Sequence, residues 1–316
     1  MLVPAKLNPL PGLALAALPP VAVLGFGLAF LSFVGGSAAV WRMANAAGSY
    51  SLLMVAAMVG VTCLLSWLLC MGLSGRHAPL VALVGLATLP WFVGIAGTED
   101  AVERVLAALP EVGGGNALAV LVAGTGEAMV TRLLGAWTSA ALLVSVSVGL
   151  VLLREEAALS GEGAGRLLGA GLGLVLGAIA LLVALEAHQL FELLTSLATQ
   201  APESRAGLIL AGTRQLTQWQ ELRSATLGAL GVLALALVCW QLFLHPEAIG
   251  QWVGSMALVV LAAAVLMLDA HPLRLAAQGA RQPDLAHLLL SAPVHNQALS
   301  ALPSVKLPAR GLHSAR

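Results

Sequence analysis

Charged residues are scarce in this sequence: only 9% of its 316 residues are Asp, Glu, Lys or Arg, whereas 59% are hydrophobic. A soluble domain usually carries about 25% charged residues, so this chain has too little polar surface to face water on all sides. Its 15 basic and 15 acidic residues balance, and no basic patch suited to nucleic acid results. The composition excludes an ordinary soluble domain and indicates an integral membrane protein.

Cysteine is also rare, and the common catalytic motifs are absent. The three cysteines, Cys63, Cys70 and Cys239, lie inside apolar runs, and their spacing fits neither a zinc site nor a haem attachment site. The sequence contains no phosphate-binding loop, nucleophile elbow or zinc-protease motif. We therefore predict no catalytic site and no cofactor, and interpret the cysteines as small buried hydrophobic side chains.

Long apolar runs dominate what is present, and each can cross a bilayer as a helix. The predicted spans lie within residues 13–40, 51–73, 80–97, 126–153, 167–185, 214–244 and 252–268. Two of these helices exceed the ~30 Å of the hydrocarbon core and begin with polar residues, so their first turns should project from the membrane. The sequence predicts an all-α polytopic integral membrane protein with about seven transmembrane helices, arranged as repeated helical hairpins with extra-membrane helical extensions.

An internal repeat supports the hairpin arrangement. The tripeptide Ala-Gly-Thr occurs at residues 123–125 and 211–213, and we interpret both copies as small-residue turns before a second apolar span. Aligning them pairs Thr138 with Thr226, and Glu103 pairs with Glu192 upstream. Chance similarity between segments rich in Ala, Gly, Leu and Val is the alternative. The predicted units are 1–78, 79–156, 157–247, 248–270 and a polar tail, 271–316, whose apolar stretch 285–290 should dock on the rest of the chain.

Basic residues are unequally divided between the two predicted faces of the membrane. One face, with the N-terminus, carries four of them, and the other carries the remaining eleven. Cytoplasmic loops are enriched in Lys and Arg, so the second face is predicted to be cytoplasmic. We therefore expect a bacterial cytoplasmic membrane protein with its N-terminus outside and its C-terminus inside.

The richest polar group on one helix is formed by Glu186, His188 and Glu192. His188 and Glu192 are four positions apart and therefore share a helix face just beyond a predicted span. They are weak candidates for a metal site, because a third and fourth ligand are missing nearby in the sequence. The alternative is a solvated helix face. Asp269, at the end of the last span, is interpreted as a marker of the membrane boundary.

Other polar residues are candidates for an ion path or for contact with a partner subunit. The repeat singles out the carboxylates of Glu103 and Glu192 and the hydroxyls of Thr138 and Thr226, and Glu127 lies at the start of an over-long helix, near Thr131 and Arg132. The centres of the predicted spans contain no ionisable residue, which argues against a self-sufficient proton pump. Hydroxyls at helix interfaces equally serve packing and hydrogen bonds between helices.

Residues 86–153 resemble the core hairpin of the MotA/TolQ/ExbB proton-channel family. The corresponding segments are Val-Gly-Ile-Ala-Gly-Thr at 93–98 and Ala-Gly-Thr-Gly-Glu-Ala at 123–128, followed by Thr131. Arg132 directly after that threonine, and the opposite predicted orientation, depart from the family pattern. The resemblance implies an ion-conducting subunit whose proton-carrying carboxylate belongs to a partner.

Three hypotheses of function follow. The first is an integral membrane subunit of a larger complex with a scaffold or anchoring role, because the spans lack charge and Gly169, Gly173 and Gly177 form a face that another helix, of this chain or a partner, can approach closely. The second is an ion-conducting, energy-transducing subunit or transporter component. The third is a membrane enzyme or metal protein that uses Glu186, His188 and Glu192. The expected partners are other membrane subunits, in a homo- or hetero-oligomer, and the lipid bilayer, with no nucleic acid.

Overall fold

The computed structural model describes residues 9–73, 80–112, 116–153, 163–200, 202–244, 249–280, 285–286 and 288–289. These residues are almost entirely helical and include no strand. The helices are α1 (Pro9–Phe33), α2 (Ser37–Ala46), α3 (Ser49–Leu73), α4 (Leu80–Ala108), α5 (Ala117–Leu152), α6 (Gly163–Thr199), α7 (Pro202–Leu244), α8 (Ile249–Asp269) and α9 (His271–Gly279), with a 3-10 turn at Leu109–Glu111. The connections between predicted spans at 74–79 and 245–248, and the tail from residue 290, lie outside the described residues.

In the described part of the chain, six helical segments are long and apolar enough to cross a membrane. They are Gly12–Phe33, Ser49–Met71, Ala82–Glu111, Ala117–Leu152, Arg166–Thr199 and Met256–Gly279. The chain is thus an all-α polytopic membrane protein, as predicted. The span expected within 214–244 corresponds to a shorter apolar segment of α7, Ala225–Cys239.

Helices α5 and α6 form the centre of the molecule and pack antiparallel along most of their length. At one end, a β-carbon on Gly126 would lie 3.2 Å from Leu194, and at the other a β-carbon on Gly173 would lie 2.5 Å from Ser147 Oγ. Gly177 similarly faces Leu143. The glycine face of α6 is therefore covered, at Gly173 and Gly177, by a helix of the same chain.

Helix α4 crosses α5 where two glycines meet. A β-carbon on Gly94 would lie 2.6 Å from the carbonyl oxygen of Thr131, and one on Gly135 would lie 2.5 Å from the carbonyl oxygen of Pro90. Small residues allow helix backbones to approach closely in membranes. Just beyond the crossing, Thr98 Oγ1 lies 3.0 Å from Thr131 Oγ1, and both hydroxyls are within hydrogen-bond distance of the Ala128 carbonyl oxygen.

The buried apolar side chains form two separate clusters. The larger cluster fills the interior of the bundle that helices α1 to α8 form. The smaller one lies at one end of the bundle, in the parts of these helices that also carry Glu103, Glu127 and Glu192, and it includes the end of the chain that the structure describes. We call the parts that build this second cluster the cap: residues 101–109, 118–129, 190–198, 208–216, 273–280, 285–286 and 288–289.

The cap confirms the predicted helical extensions and shows where the tail docks. Leu285, Leu288 and Leu289 are almost completely buried in it, although the sequence alone did not identify their contacts. Helices α4, α5, α6 and α7 each pass from the bundle into the cap without a break. The two hydrophobic clusters are therefore joined by continuous helical backbone.

Both Ala-Gly-Thr segments are helical, so their interpretation as turns was wrong. Residues 123–125 lie within α5, and residues 211–213 lie within α7. The glycine instead allows a neighbouring side chain to approach: a β-carbon on Gly124 would lie 2.3 Å from Val105, and one on Gly212 would lie 2.3 Å from Leu193. In each case the partner precedes the glycine by 19 positions, so the two hairpins share the same local contact.

Two smaller predictions were also wrong. Thr98, followed by the acidic pair Glu99 and Asp100, has the sequence pattern of a helix start, but α4 continues through it and its hydroxyl donates to the Gly94 carbonyl oxygen. Cys63 and Cys239 are exposed on the outside of the protein rather than buried. The cysteine prediction was wrong because a membrane protein presents apolar residues to lipid. The Thr98 prediction was wrong because a threonine hydroxyl can hydrogen-bond to a carbonyl oxygen of its own helix.

We expect Gly94→Ala to destabilise the protein, because the added methyl group would overlap the backbone of α5. The cost of such overpacking is typically about 1–3 kcal/mol. Gly60→Ala is the control, since nothing lies within 4 Å of the β-carbon position at Gly60. The midpoint of thermal unfolding in detergent should fall for the first variant only; equal midpoints would contradict the observed crossing.

Candidate functional site

Three ionisable side chains from different helices meet at the level where the bundle passes into the cap. Arg132 of α5 donates to Asp269 of α8 through Nε, at 3.0 Å from Oδ1, and through Nη2, at 2.5 Å from Oδ2. The Nη2 atom also lies 3.7 Å from Oε2 of Glu186 on α6. We call these three residues the ion cluster.

The side chains of the ion cluster are almost inaccessible to solvent: 0% of Arg132, 2% of Glu186 and 8% of Asp269 is exposed. Removing a charge from water is costly unless the charge is paired and hydrogen-bonded. The two parallel hydrogen bonds between guanidinium and carboxylate supply this pairing with a fixed geometry. The ion cluster therefore restrains α5, α6 and α8 relative to one another.

Trp91 adds α4 to this arrangement. Its indole Nε1 donates to Asp269 Oδ1 at 3.1 Å, and its ring is completely buried. Trp91 directly follows Pro90, which lacks a backbone N–H and disturbs helical hydrogen bonding. The backbone N–H of Trp91 donates to Ser139 Oγ of α5 at 2.9 Å. Asp269 is thus bonded to α5 directly and to α4 through an indole that α5 helps to position.

The sequence explains why the three charges lie at the same depth. Arg132 directly precedes the apolar run 133–153, whereas Glu186 directly follows 167–185 and Asp269 follows 252–268. Each run is about 30 Å long as a helix, the thickness of a hydrocarbon core. Because α5 begins its run where α6 and α8 end theirs, the charges meet at one end of the apolar layer.

His188 lies two positions after Glu186, on a different side of α6, and does not belong to the ion cluster. It is buried against Phe33 of α1, with ring centroids 4.5 Å apart, and its Nε2 lies 3.4 Å from Glu192 Oε1. Glu192 itself is mostly exposed. Of the three predicted metal candidates, His188 and Glu192 therefore contact each other, whereas Glu186 lies against Arg132. Within the described part of the chain, no three His, Cys, Asp or Glu side chains form a group that could hold a metal ion.

The alternative of a solvated helix face was wrong for Glu186 and His188, because α1 and α5 cover them, and holds only for Glu192. The other candidates are dispersed. Glu103 and Glu127 are exposed on the cap, whereas Thr138 of α5 and Thr226 of α7 are half-buried in the bundle.

Sequence reasoning missed Arg132 and Asp269 as members of a site. It placed Arg132 on a projecting helix turn and Asp269 at the membrane boundary, and expected water at both. A signal was nevertheless present: both residues and Glu186 border an apolar run on the same predicted face. Boundary charges of opposite sign on one face are candidates for pairing, since side chains of neighbouring helices meet there.

Fold and site together define an integral membrane helical bundle with a paired, buried ion cluster beneath a helical cap. No protein-family model, curated protein or solved structure matches the chain. The resemblance of residues 86–153 to the MotA/TolQ/ExbB hairpin therefore depends only on the residues that carry it.

We expect Asp269→Asn to destabilise the protein strongly, because it would leave the buried Arg132 charge with only the more distant Glu186 carboxylate, 3.7 Å away, as its counter-charge. Breaking a buried ion pair at one partner costs about 3–5 kcal/mol. Asp100→Asn is the matched control: it removes the carboxylate of an exposed pair with Arg104, and such pairs contribute less than about 1 kcal/mol. Thermal unfolding in detergent measures the difference.

The triple variant Arg132→Met, Glu186→Gln, Asp269→Leu distinguishes charge from packing. With all three charges of the ion cluster removed, most of the stability lost in Asp269→Asn should return. A triple variant that is no more stable than Asp269→Asn would contradict the pairing.

Proposed function

We propose that the protein is an integral membrane subunit of a larger membrane complex, with a scaffold or anchoring role. The observation that carries this proposal is the continuity of α4 to α7 from the bundle into the cap. Continuous helices hold a structured surface at a fixed height outside the apolar layer. The ion cluster restrains these helices at the junction, which suits a platform on which other subunits assemble.

The cap surface supplies the contacts that such a platform needs. Glu103 on α4, Glu127 on α5 and Glu192 on α6 are all exposed there. Charged rim residues favour the correct partner and repel others. We propose that these carboxylates contact basic residues of partner subunits, in a homo- or hetero-oligomer.

The proposed location is the bacterial cytoplasmic membrane, with the cap in the cytoplasm. Arg42, Arg104 and Arg205 belong to the same predicted face as the cap, and that face carries most of the basic residues. The positive-inside rule then places the C-terminus inside and the N-terminus outside.

Charge reversal on the cap tests the scaffold role. The protein is purified from its native membranes in mild detergent, and the co-purifying subunits are quantified by mass spectrometry. In the double variant Glu103→Lys, Glu192→Lys, the amount of co-purifying partner should fall at least about tenfold. The introduced lysines would then face basic residues of the partner. Glu155→Lys, in a loop predicted on the other face, should retain all of it. Purification of the wild-type protein alone would contradict the proposal.

A second candidate is an ion-conducting, energy-transducing subunit, and the ion cluster is the observation that favours it. Ionisable residues buried within membrane segments often mark ion or proton pathways. In the family that residues 86–153 resemble, a partner supplies the carboxylate, whereas here Glu186 and Asp269 lie in the chain itself. Arg132 Nη1 has no hydrogen-bond acceptor among the described residues, so the cluster keeps an unused donor.

Ion flux in proteoliposomes distinguishes the second candidate from the first. Thr138→Val combined with Thr226→Val removes both repeat hydroxyls with little change of shape and should abolish proton flux down an imposed pH gradient. Thr195→Val, an exposed position on the cap part of α6, is the control and should conduct as the wild type does. Flux that is unchanged in the double variant, or absent from the wild type, would reject conduction.

A further inference from the structure

Helix α2 lies between two membrane spans, at the same end of the bundle as the cap. It follows the end of α1 at Phe33 and precedes the start of α3 at Ser49. At the opposite end, Cys70 of α3 donates to the carbonyl oxygen of Gly12 in α1 at 3.5 Å, so the two spans are antiparallel. Near α2, Phe33 contacts His188, which is two positions beyond the ion cluster.

Glycines interrupt the chain on both sides of α2. Gly35 and Gly36 have φ angles of 85° and 103°, and Gly48 has a φ of 56°. L-residues with a side chain rarely adopt these angles, whereas glycine does so at little cost. The sequence therefore separates α2 from α1 and α3 by built-in breaks, and α2 is a distinct helix rather than an extension of either span.

The two faces of α2 have different environments. Ala39, Met43 and the adjacent Ala47 are buried, and Met43 and Ala47 belong to the bundle's hydrophobic cluster. The opposite face is exposed, and it is formed by Ala38, Trp41, Arg42 and Asn45. This spacing of three and four residues is that of an amphipathic helix.

The exposed face carries a large aromatic ring and an unpaired positive charge. Trp41 is 69% exposed. In the part of the chain that the structure describes, neither the Trp41 indole nor the Arg42 guanidinium has a hydrogen-bond or ion-pair partner. Trp is enriched at the level of lipid headgroups, and Arg near a membrane surface is attracted to anionic lipid.

The surroundings of this face indicate lipid rather than protein. Leu28 on α1 and Leu52 and Val55 on α3 flank α2 along the chain, and all three are more than half exposed. An apolar outer surface of this kind faces acyl chains in a membrane protein. Along the chain, the exposed face of α2 thus lies between exposed apolar positions of its two neighbouring spans.

We propose that α2 is an interfacial helix that binds the phosphate group of an anionic phospholipid through Arg42, with the Trp41 ring among the headgroups. The guanidinium matches a phosphate in charge and in hydrogen-bond geometry. The buried face of α2 holds this pair of side chains at a fixed position beside α1 and α3. The proposal does not depend on the scaffold role.

Lipid retention tests the role of Arg42. The full-length protein is reconstituted in nanodiscs of phosphatidylglycerol and phosphatidylcholine, and the bound lipids are measured by native mass spectrometry. Arg42→Gln should weaken retention of phosphatidylglycerol roughly fivefold, the effect of one basic residue near the surface, and leave phosphatidylcholine unchanged. Arg104→Gln, an exposed arginine paired with Asp100 on the cap side, should change neither. Free phosphate should not displace the lipid.

A second measurement keeps the proposal testable if retention is weak. Lipids brominated near the headgroup quench tryptophans at that depth, so the quenched fraction of the fluorescence should fall in Trp41→Phe. Unchanged phosphatidylglycerol retention in Arg42→Gln, an equal loss in Arg104→Gln, or unaltered quenching in Trp41→Phe would each overturn the proposal. If an acidic protein partner rather than lipid covered Trp41, the quenching would be unaltered in Trp41→Phe.

Discussion

The buried pair of Arg132 and Asp269 is the interaction on which the arrangement of this protein depends. A guanidinium that is wholly removed from solvent must have its counter-charge in contact, because an unpaired charge there would cost several kcal/mol. Asp269 is the last residue of α8, so the position of α8 is restrained by a side chain in the middle of α5. Through Trp91 and Glu186 the same restraint reaches α4 and α6.

Close packing and charge pairing have different roles in this bundle. The glycines at 94 and 135 allow α4 and α5 to approach until their backbones touch, and Gly173 and Gly177 allow side chains of α5 to lie against α6. Such contacts set the distance between helices. Apolar surfaces of Ala, Leu and Val, however, specify only weakly how far one helix is shifted along the axis of its neighbour. The hydrogen bonds of the ion cluster are directional, and they specify one position along the helix axes.

The membrane class of the protein could be predicted from the sequence, because it depends on long apolar runs. These runs are recognisable however the helices pack against one another. The local errors had a common cause. A small-residue segment such as residues 123–125 has the composition of a turn, yet its glycine provides the close contact with Val105 inside a helix. Composition alone does not distinguish these two uses of glycine.

The candidate site could be predicted only in part, because it is assembled from distant positions. Glu186 was singled out together with His188 and Glu192, which are neighbours in sequence and face different surroundings in the structure. Its true neighbours, Arg132 and Asp269, are 54 and 83 positions away. Their contact is set by the antiparallel packing of α5 on α6 and by the docking of α8, which no local pattern reveals.

The unbroken course of α5 has a mechanical consequence. A helix of 36 residues is a rod about 54 Å long, and the crossing with α4 lies near its midpoint, at Gly135. A rigid rod that is held near its midpoint can tilt only about that point. When the bundle half of the rod tilts, its cap half is therefore displaced in the opposite direction.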